Sequence, residues 1–428
     1  LPNMIRADVF GLLALYFLIF FEFLFPQDYV GFALHPESVR QATLLSLWGF
    51  AGIVIGRHLG NIRASPFTEL FTRPFPPSYL LAIFWLSAGI GYLHMLVAVQ
   101  FNFVVMVEHM MGARFSQPWS RGRLGDWRAL LIELGLFIYL IPPLAAIILA
   151  RRHKFRKAHL YPVVALLLFT LFHGFASGTR NILASYLLTF LIGYAFAIGR
   201  ERRRELYVIG AATAVLLLAS TVLMLEFRQV GLLNYLRGER QVEQFSELNL
   251  AVDYNLYSMS RLVEIFPGHH PFLGWEVPYI ALIRPIPRAL WPGKPTGLSM
   301  SIEDAVGAQG WTVSTTFIGE AYMAGGTPAV FLTALVLGTM MGWWSHLGSP
   351  RNSEFGMLVY ASGFFAVAIT MRSLFTFTTA ILPTIGGLVI GGILLRKVRE
   401  FRQTGQREGA SPPGRQRRRQ PRHPFLRK

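Results

Sequence analysis

The chain has 428 residues, of which 53% are hydrophobic and only 15% charged, with a mean hydropathy of +0.43. That composition excludes a soluble globule, and the absence of cysteine excludes disulfides, thiolate metal sites and cysteine nucleophiles. The formal net charge of +17 does not mark a nucleic-acid binder, because the tail from Arg396 to Lys428 alone carries twelve Lys or Arg against Glu400 and Glu408. Such a tail, rich in Pro, Gln and Arg, predicts disorder and attraction to anionic lipid headgroups.

In chain order the apolar runs predict ten membrane spans, at roughly 9–26, 41–57, 79–101, 129–150, 158–176, 181–199, 206–226, 326–346, 355–371 and 374–395. Each is near the length that carries a helix across about 30 Å of hydrocarbon. The first carries Phe and Glu22 where small residues would mark signal cleavage, so a span is expected there. The fold class expected is all-α, a polytopic membrane helix bundle of about ten transmembrane helices with one long outer-face loop subdomain. Its parts are a bundle of seven spans over 1–226, a loop over 227–325, three further spans over 326–395 and a disordered basic tail over 396–428. Two short basic loops, one with Arg151, Arg152, Lys154, Arg156 and Lys157 and one with Arg200, Arg202, Arg203 and Arg204, fix the cytoplasmic side by the positive-inside rule. An even number of spans then places both termini in the cytoplasm.

The opposite face holds 27–40, 102–128, 177–180, 227–325 and the short turn at Arg372 and Ser373. Of the fourteen Lys or Arg on that face, thirteen are Arg. Arginine keeps its charge and offers a planar fork of donors that matches phosphate or carboxylate oxygens in pairs, so a diphosphate or acidic-sugar ligand fits; a general preference of the chain for Arg is the competing explanation. Arg180, in the tight turn GTRN at 178–181, and Arg372 are held at the membrane surface by a span on each side. Snorkelling to lipid phosphates and binding a lipid-linked diphosphate coincide at that depth.

In the 227–325 loop, too long to be a mere connector, PFLGWEVPYIALI at 271–283 is apolar but too short to span, and is expected to dip into the membrane surface or pack on the bundle. The next twelve residues, RPIPRALWPGKP at 284–295, hold four prolines around Arg284, Arg288 and Lys294. Proline restricts itself and the residue before it, which presents the cations with less ordering cost on binding. In FIGEAYMAGG at 317–326, Glu320 lies just before a span, where a carboxylate is costly unless paired or hydrated. It could orient an arginine or accept a proton from a sugar hydroxyl. Glu226, Asp253, His269, His270, Glu303 and Asp304 are further candidate bases that sequence does not rank. No P-loop, dinucleotide fingerprint, HExxH or Asp-x-Asp pattern is present, which argues against nucleotide-driven chemistry, and the adjacent pair His269 and His270 is a weak basis for a metal site.

Three motifs in this order, GTRN in a short outer turn, IPRALWPGKP in a long outer loop and IGEAYMAGG leading into the following span, resemble the O-antigen polymerase family of the Wzy type, including oligosaccharide repeat unit polymerases. The resemblance covers roughly 178–340 by motif and the rest by topology. It implies metal-independent glycosyl transfer between polyprenyl-diphosphate-linked oligosaccharides at the outer face of a bacterial inner membrane, with the growing chain moved onto an incoming repeat unit. Arg180, Arg288 and Lys294 match the family's basic positions and Glu320 its acidic one, while the catalytic base stays open. Arg180, Arg284, Arg288 and Lys294 are therefore expected to bind diphosphate with help from Arg372, and Arg288 and Glu320 to act in catalysis. No cofactor or metal is expected. The partners implied are the lipid-linked oligosaccharide, the bilayer and a chain-length co-polymerase, with no nucleic acid. An O-antigen ligase-like enzyme or a polyprenyl-phosphate-sugar glycosyltransferase would use the same arginines. A lipid-linked sugar flippase or exporter would instead show internal repeats and charges lining the spans.

Overall fold

The computed structural model describes residues 5–24, 34–60, 70–114, 116–120, 128–198, 202–239, 254–288, 290–307, 313–349 and 351–409. All regular structure among them is helical. The first helix, α1 (Ala7–Ile19), has 13 residues, about 20 Å of rise, and a 3-10 turn at Phe21–Leu24 continues it. Among the described residues nine others are long and apolar enough to cross a membrane, while α1 is shorter than the span expected at 9–26. They are α2 (Pro36–Leu59), α3 (Pro77–Ala98), α4 (Leu131–Ala150), α5 (Lys157–Ala176), α6 (Arg180–Ala197), α7 (Arg203–Phe227), α8 (Thr316–Leu347), α9 (Glu354–Arg372) and the stretch Leu374–Lys397, most of which belongs to α10 (Leu382–Gly409). The last runs past the end expected for its span, and the tail beyond Gly409 lies outside the described residues, as does Arg200.

Burial separates the centre from the rim. In α9, 78% of the most apolar stretch is buried within the protein, against 11% in α7, so α9 is a core helix and α7 faces outward along most of its length. α6 packs on both α4 and α9, and the most extensive helix pair is α2 with α8. That last pairing follows from small residues. Gly52 and Gly56 of α2 lie against Ala334 and the Leu335 backbone, and a Cβ on Gly338 of α8 would meet the Ile53 carbonyl oxygen at 2.5 Å. Two backbones in this proximity gain dispersion contact that any side chain would prevent. Gly338→Leu is expected to lower stability by about 1–3 kcal/mol, read as a reduced unfolding midpoint in detergent; an unchanged midpoint would contradict the close packing.

Proline chemistry explains the irregular helices. Pro142 and Pro143 remove two N–H donors and crowd the preceding turn, and α4 accordingly passes through a 3-10 stretch at Gly135–Leu140 before resuming as an α-helix. α8 begins ten residues before the expected span and breaks at Gly325 and Gly326 ahead of Pro328. Gly326 takes φ +69°, and a Cβ there would press the Phe272 ring at 3.0 Å. The break frees carbonyls that need partners. Residues of the loop between α7 and α8 supply them: the Leu273 and Gly274 N–H groups donate to the Met323 and Ala324 carbonyls at 2.8 and 2.9 Å. The apolar segment 271–283 thus packs on the bundle through the broken turn of α8.

The short connections gather at two ends. At one end Asp8, fully buried, accepts from the Arg6 guanidinium at 2.9 and 2.8 Å and from the Ser345 hydroxyl at 2.9 Å, and Arg57 lies 3.2 Å from it. Lys154 pairs with Glu354 at that same end. The other end carries the loop after α7, the turn between α5 and α6, and the turn after α9.

Candidate functional site

At this second end a cavity of about 400 Å³ opens among the ends of α6, α8 and α9 and the loop between α7 and α8. Its lining includes Arg284, Glu303, Glu320, Arg372, Ser373 and Asn181. Four chain segments far apart in sequence therefore converge on it, and each is placed there by its own local structure.

Glu320 lies on the short helical piece of α8 ahead of the glycine break and is 2% exposed. Its carboxylate is held by the turn after α9. The Ser373 hydroxyl donates to Oε1 at 2.6 Å and the Leu374 N–H to Oε2 at 2.5 Å, and the Phe375 N–H also donates to it. Leu374–Thr376 is a 3-10 turn, so the carboxylate occupies the position where free N–H groups at the start of a helical turn attract an anion. Arg284 adds an electrostatic attraction from across the cavity. The first residue of α8, Thr316, takes φ +59°, a costly conformation for a β-branched side chain, four residues before Glu320.

Arg284 follows the helix Glu276–Ile283, whose position is fixed twice. The Thr378 hydroxyl donates to the Ala281 carbonyl at 2.6 Å, and the Glu276 carboxylate accepts from the Ser299 N–H and, at 2.7 Å, from its hydroxyl. The second contact closes the proline-rich loop at its base. Arg372 is the last residue of α9, and its carbonyl accepts from the Ser314 hydroxyl at 3.0 Å. Asn181 reaches the cavity from the GTRN turn, in which Gly178 takes φ +62° with the Arg228 backbone packed against it.

Of the residues expected from sequence to form a site, Arg284, Arg372 and Glu320 line one cavity, and Arg180 is the chain neighbour of a lining residue. Lys294 and Arg288 are not in the lining. The Lys294 ammonium donates to the Arg284 and Ile286 carbonyls at 2.9 and 2.8 Å and so braces its own loop. Arg288 is exposed and donates to the Pro295 carbonyl at 3.3 Å. Tyr322 donates to the Phe266 carbonyl at 2.9 Å, a packing contact. Ser373, Ser301 and Ser314 are lining residues that sequence reasoning did not single out; Ser373 carried a signal only as the neighbour of Arg372 in a tight turn. Among the described residues no group of three or more His, Asp or Glu is arranged to hold a metal ion.

Arginines on two separate, braced elements line the cavity, and a guanidinium is the side chain whose donors match the oxygens of a diphosphate. The cavity volume lies in the range of small-ligand sites. The cavity lies at the ends of helices long and apolar enough to cross a membrane.

A family model described as a domain of unknown function (DUF8712) matches residues 242–375. The match takes in Arg284, Glu303, Glu320, Arg372 and the Ser373–Phe375 turn that binds Glu320, together with Arg288 and Lys294. No curated protein and no solved structure matches the chain.

Proposed function

We propose that this protein joins polyprenyl-diphosphate-linked oligosaccharide repeat units at the outer face of a bacterial inner membrane, as a polysaccharide polymerase of the O-antigen, capsule or exopolysaccharide type. The observation that carries this reading is the convergence of Arg284, Arg372 and Glu320 on one cavity at one end of the helix bundle. In this reading Arg284 and Arg372 bind the donor's diphosphate and stabilise the charge that develops on it as the glycosyl bond breaks. Arg180 and Arg288 guide the anionic head toward the cavity, and Lys294 keeps the proline-rich loop in shape. Glu320 holds the turn that carries Arg372 and balances the paired arginine charge. The acceptor is a second lipid-linked repeat unit, and both termini of the chain lie in the cytoplasm.

The test is incubation of the purified protein in lipid nanodiscs with a synthetic polyprenyl-diphosphate oligosaccharide, without nucleotide and with a chelator. A ladder spaced by one repeat unit, with release of polyprenyl diphosphate, is the expected result. Movement of the intact lipid-linked sugar between leaflets with no ladder would replace the enzyme by a transporter.

A further inference from the structure

Glycosyl transfer to a hydroxyl needs a group that takes its proton, and the cavity holds two carboxylates in contrasting surroundings. Glu320 is surrounded by donors: the Ser373 hydroxyl and the Leu374 and Phe375 N–H groups all point at its oxygens. Its lone pairs are committed to holding the turn. Glu303 lines the same cavity, is only partly buried, and its carboxylate makes no hydrogen bond or ion pair among the described residues. Its backbone is nonetheless fixed. It lies on the single helical turn Ile302–Val306, capped by the Ser301 hydroxyl, which accepts from the Asp304 N–H at 3.0 Å, and closed by Gly307 in the left-handed conformation at φ +71°.

The other candidate bases that the sequence offered are engaged elsewhere, lie off the cavity lining or fall outside the described residues. Asp304 accepts from the Ser301 hydroxyl at 2.6 Å, and Glu226 accepts from the Tyr235 hydroxyl. His269 and His270 set their Nδ1 atoms against the Glu264 and Pro271 carbonyls at 3.1 and 2.7 Å, outside the cavity lining. Asp253 lies outside the described residues.

We infer that Glu303 is the general base of the reaction, taking the proton of the acceptor sugar hydroxyl, and that Glu320 is a positioning residue. The inference rests on the glycosyl-transfer reading above. In the step, the acceptor oxygen bonds to the donor's anomeric carbon while the bond from that carbon to the diphosphate oxygen breaks. The electron pair leaves with polyprenyl diphosphate, whose charge rests on Arg284 and Arg372. The hydroxyl proton passes to the Glu303 carboxylate and from there to water. Nothing is oxidised or reduced. Two carboxylates with opposite surroundings are the usual way in which one site separates a proton-transferring group from a structural one.

The test uses the full-length protein in nanodiscs with the synthetic lipid-linked oligosaccharide, comparing wild type with Glu303→Gln and Glu303→Ala. Both variants are expected to bind the donor with unchanged affinity and to lose polymer formation by on the order of 10²-fold or more. Azide, an anion that attacks without surrendering a proton, should restore turnover in Glu303→Ala by forming the glycosyl azide and releasing polyprenyl diphosphate. A merely structural role would not give that rescue. Polymer formation within threefold of wild type in Glu303→Gln, loss of donor binding in both variants, or an inactive Glu303→Ala that yields no glycosyl azide would each overturn the assignment while leaving the polymerase reading standing. Absence of both polymer and released diphosphate from wild type would remove the reading itself, and Glu303 with it.

Discussion

Arg372→Ala and Arg284→Ala are each expected to lower polymer formation by about 10²- to 10³-fold, the range seen when one preorganised charge-stabilising donor is removed from a transition state. The loss should fall mainly on kcat, because negative charge on the diphosphate grows as its bond to the sugar breaks and the guanidiniums act most strongly there. Arg284→Lys should recover only part of the activity, since a point charge replaces a planar fork. Arg288→Ala is expected to stay within about tenfold, as its guanidinium is exposed and donates to a carbonyl of its own loop, so only electrostatic guidance is lost. Single-turnover rates on a defined lipid-linked repeat unit check all four. Equal losses at Arg288 and Arg372 would mean that the cavity lining does not define the diphosphate site.

Glu320→Ala should unfold the site rather than merely silence it. The substitution leaves the Ser373 hydroxyl and two N–H groups of the following turn without their acceptor in a place where Glu320 itself is 2% exposed. Each unsatisfied buried donor costs about 1–3 kcal/mol, so a total of about 3 kcal/mol or more is expected, with loss of activity because Arg372 adjoins that turn. Glu320→Gln should fall between, since its carbonyl oxygen can still accept while its amide NH2 meets donors. The order wild type, Gln, Ala in unfolding midpoint is the predicted outcome, and an Ala variant as stable as wild type would sink the positioning role.

Much of this architecture was legible from local pattern. An apolar run of about 20 residues is a sufficient signal for a long apolar helix: among the described residues nine of the expected spans coincide with such helices and the first with one of only 13 residues, with tight turns at Gly178 and Ser373 as expected. The early start of α8 was harder to read. Gly325 and Gly326 look like a helix boundary, yet the N–H groups of Leu273 and Gly274, from the loop between α7 and α8, complete the broken turn and let helical structure precede it. Glu320 stood out in the sequence because a carboxylate beside a span is costly unless paired, Arg284 as a cation in a proline-rich loop and Arg372 as a cation in a tight turn between two spans. Their partners did not, since Ser373 and Leu374 lie 53 and 54 residues from Glu320 and no local periodicity encodes that pairing. Lys294 shows the opposite limit: a cation in a rigid loop reads as a ligand group, but here its ammonium spans back to two carbonyls of the same loop. The buried Asp8, placed by Arg6, Arg57 and Ser345 from three helix ends, gave no signal at all beyond one carboxylate near the start of an apolar run.

The central claim is that the donor's diphosphate binds in the cavity between Arg284 and Arg372. The measurement that tests it most directly is photocrosslinking with a polyprenyl-diphosphate sugar carrying a photoreactive group next to the diphosphate, followed by peptide mapping by mass spectrometry. Labelling confined to the peptides spanning 280–303 and 369–376, and displaced by unlabelled substrate, is the predicted result. Labelling at the opposite end of the bundle, on the basic segments at 151–157 and 202–205, would contradict it.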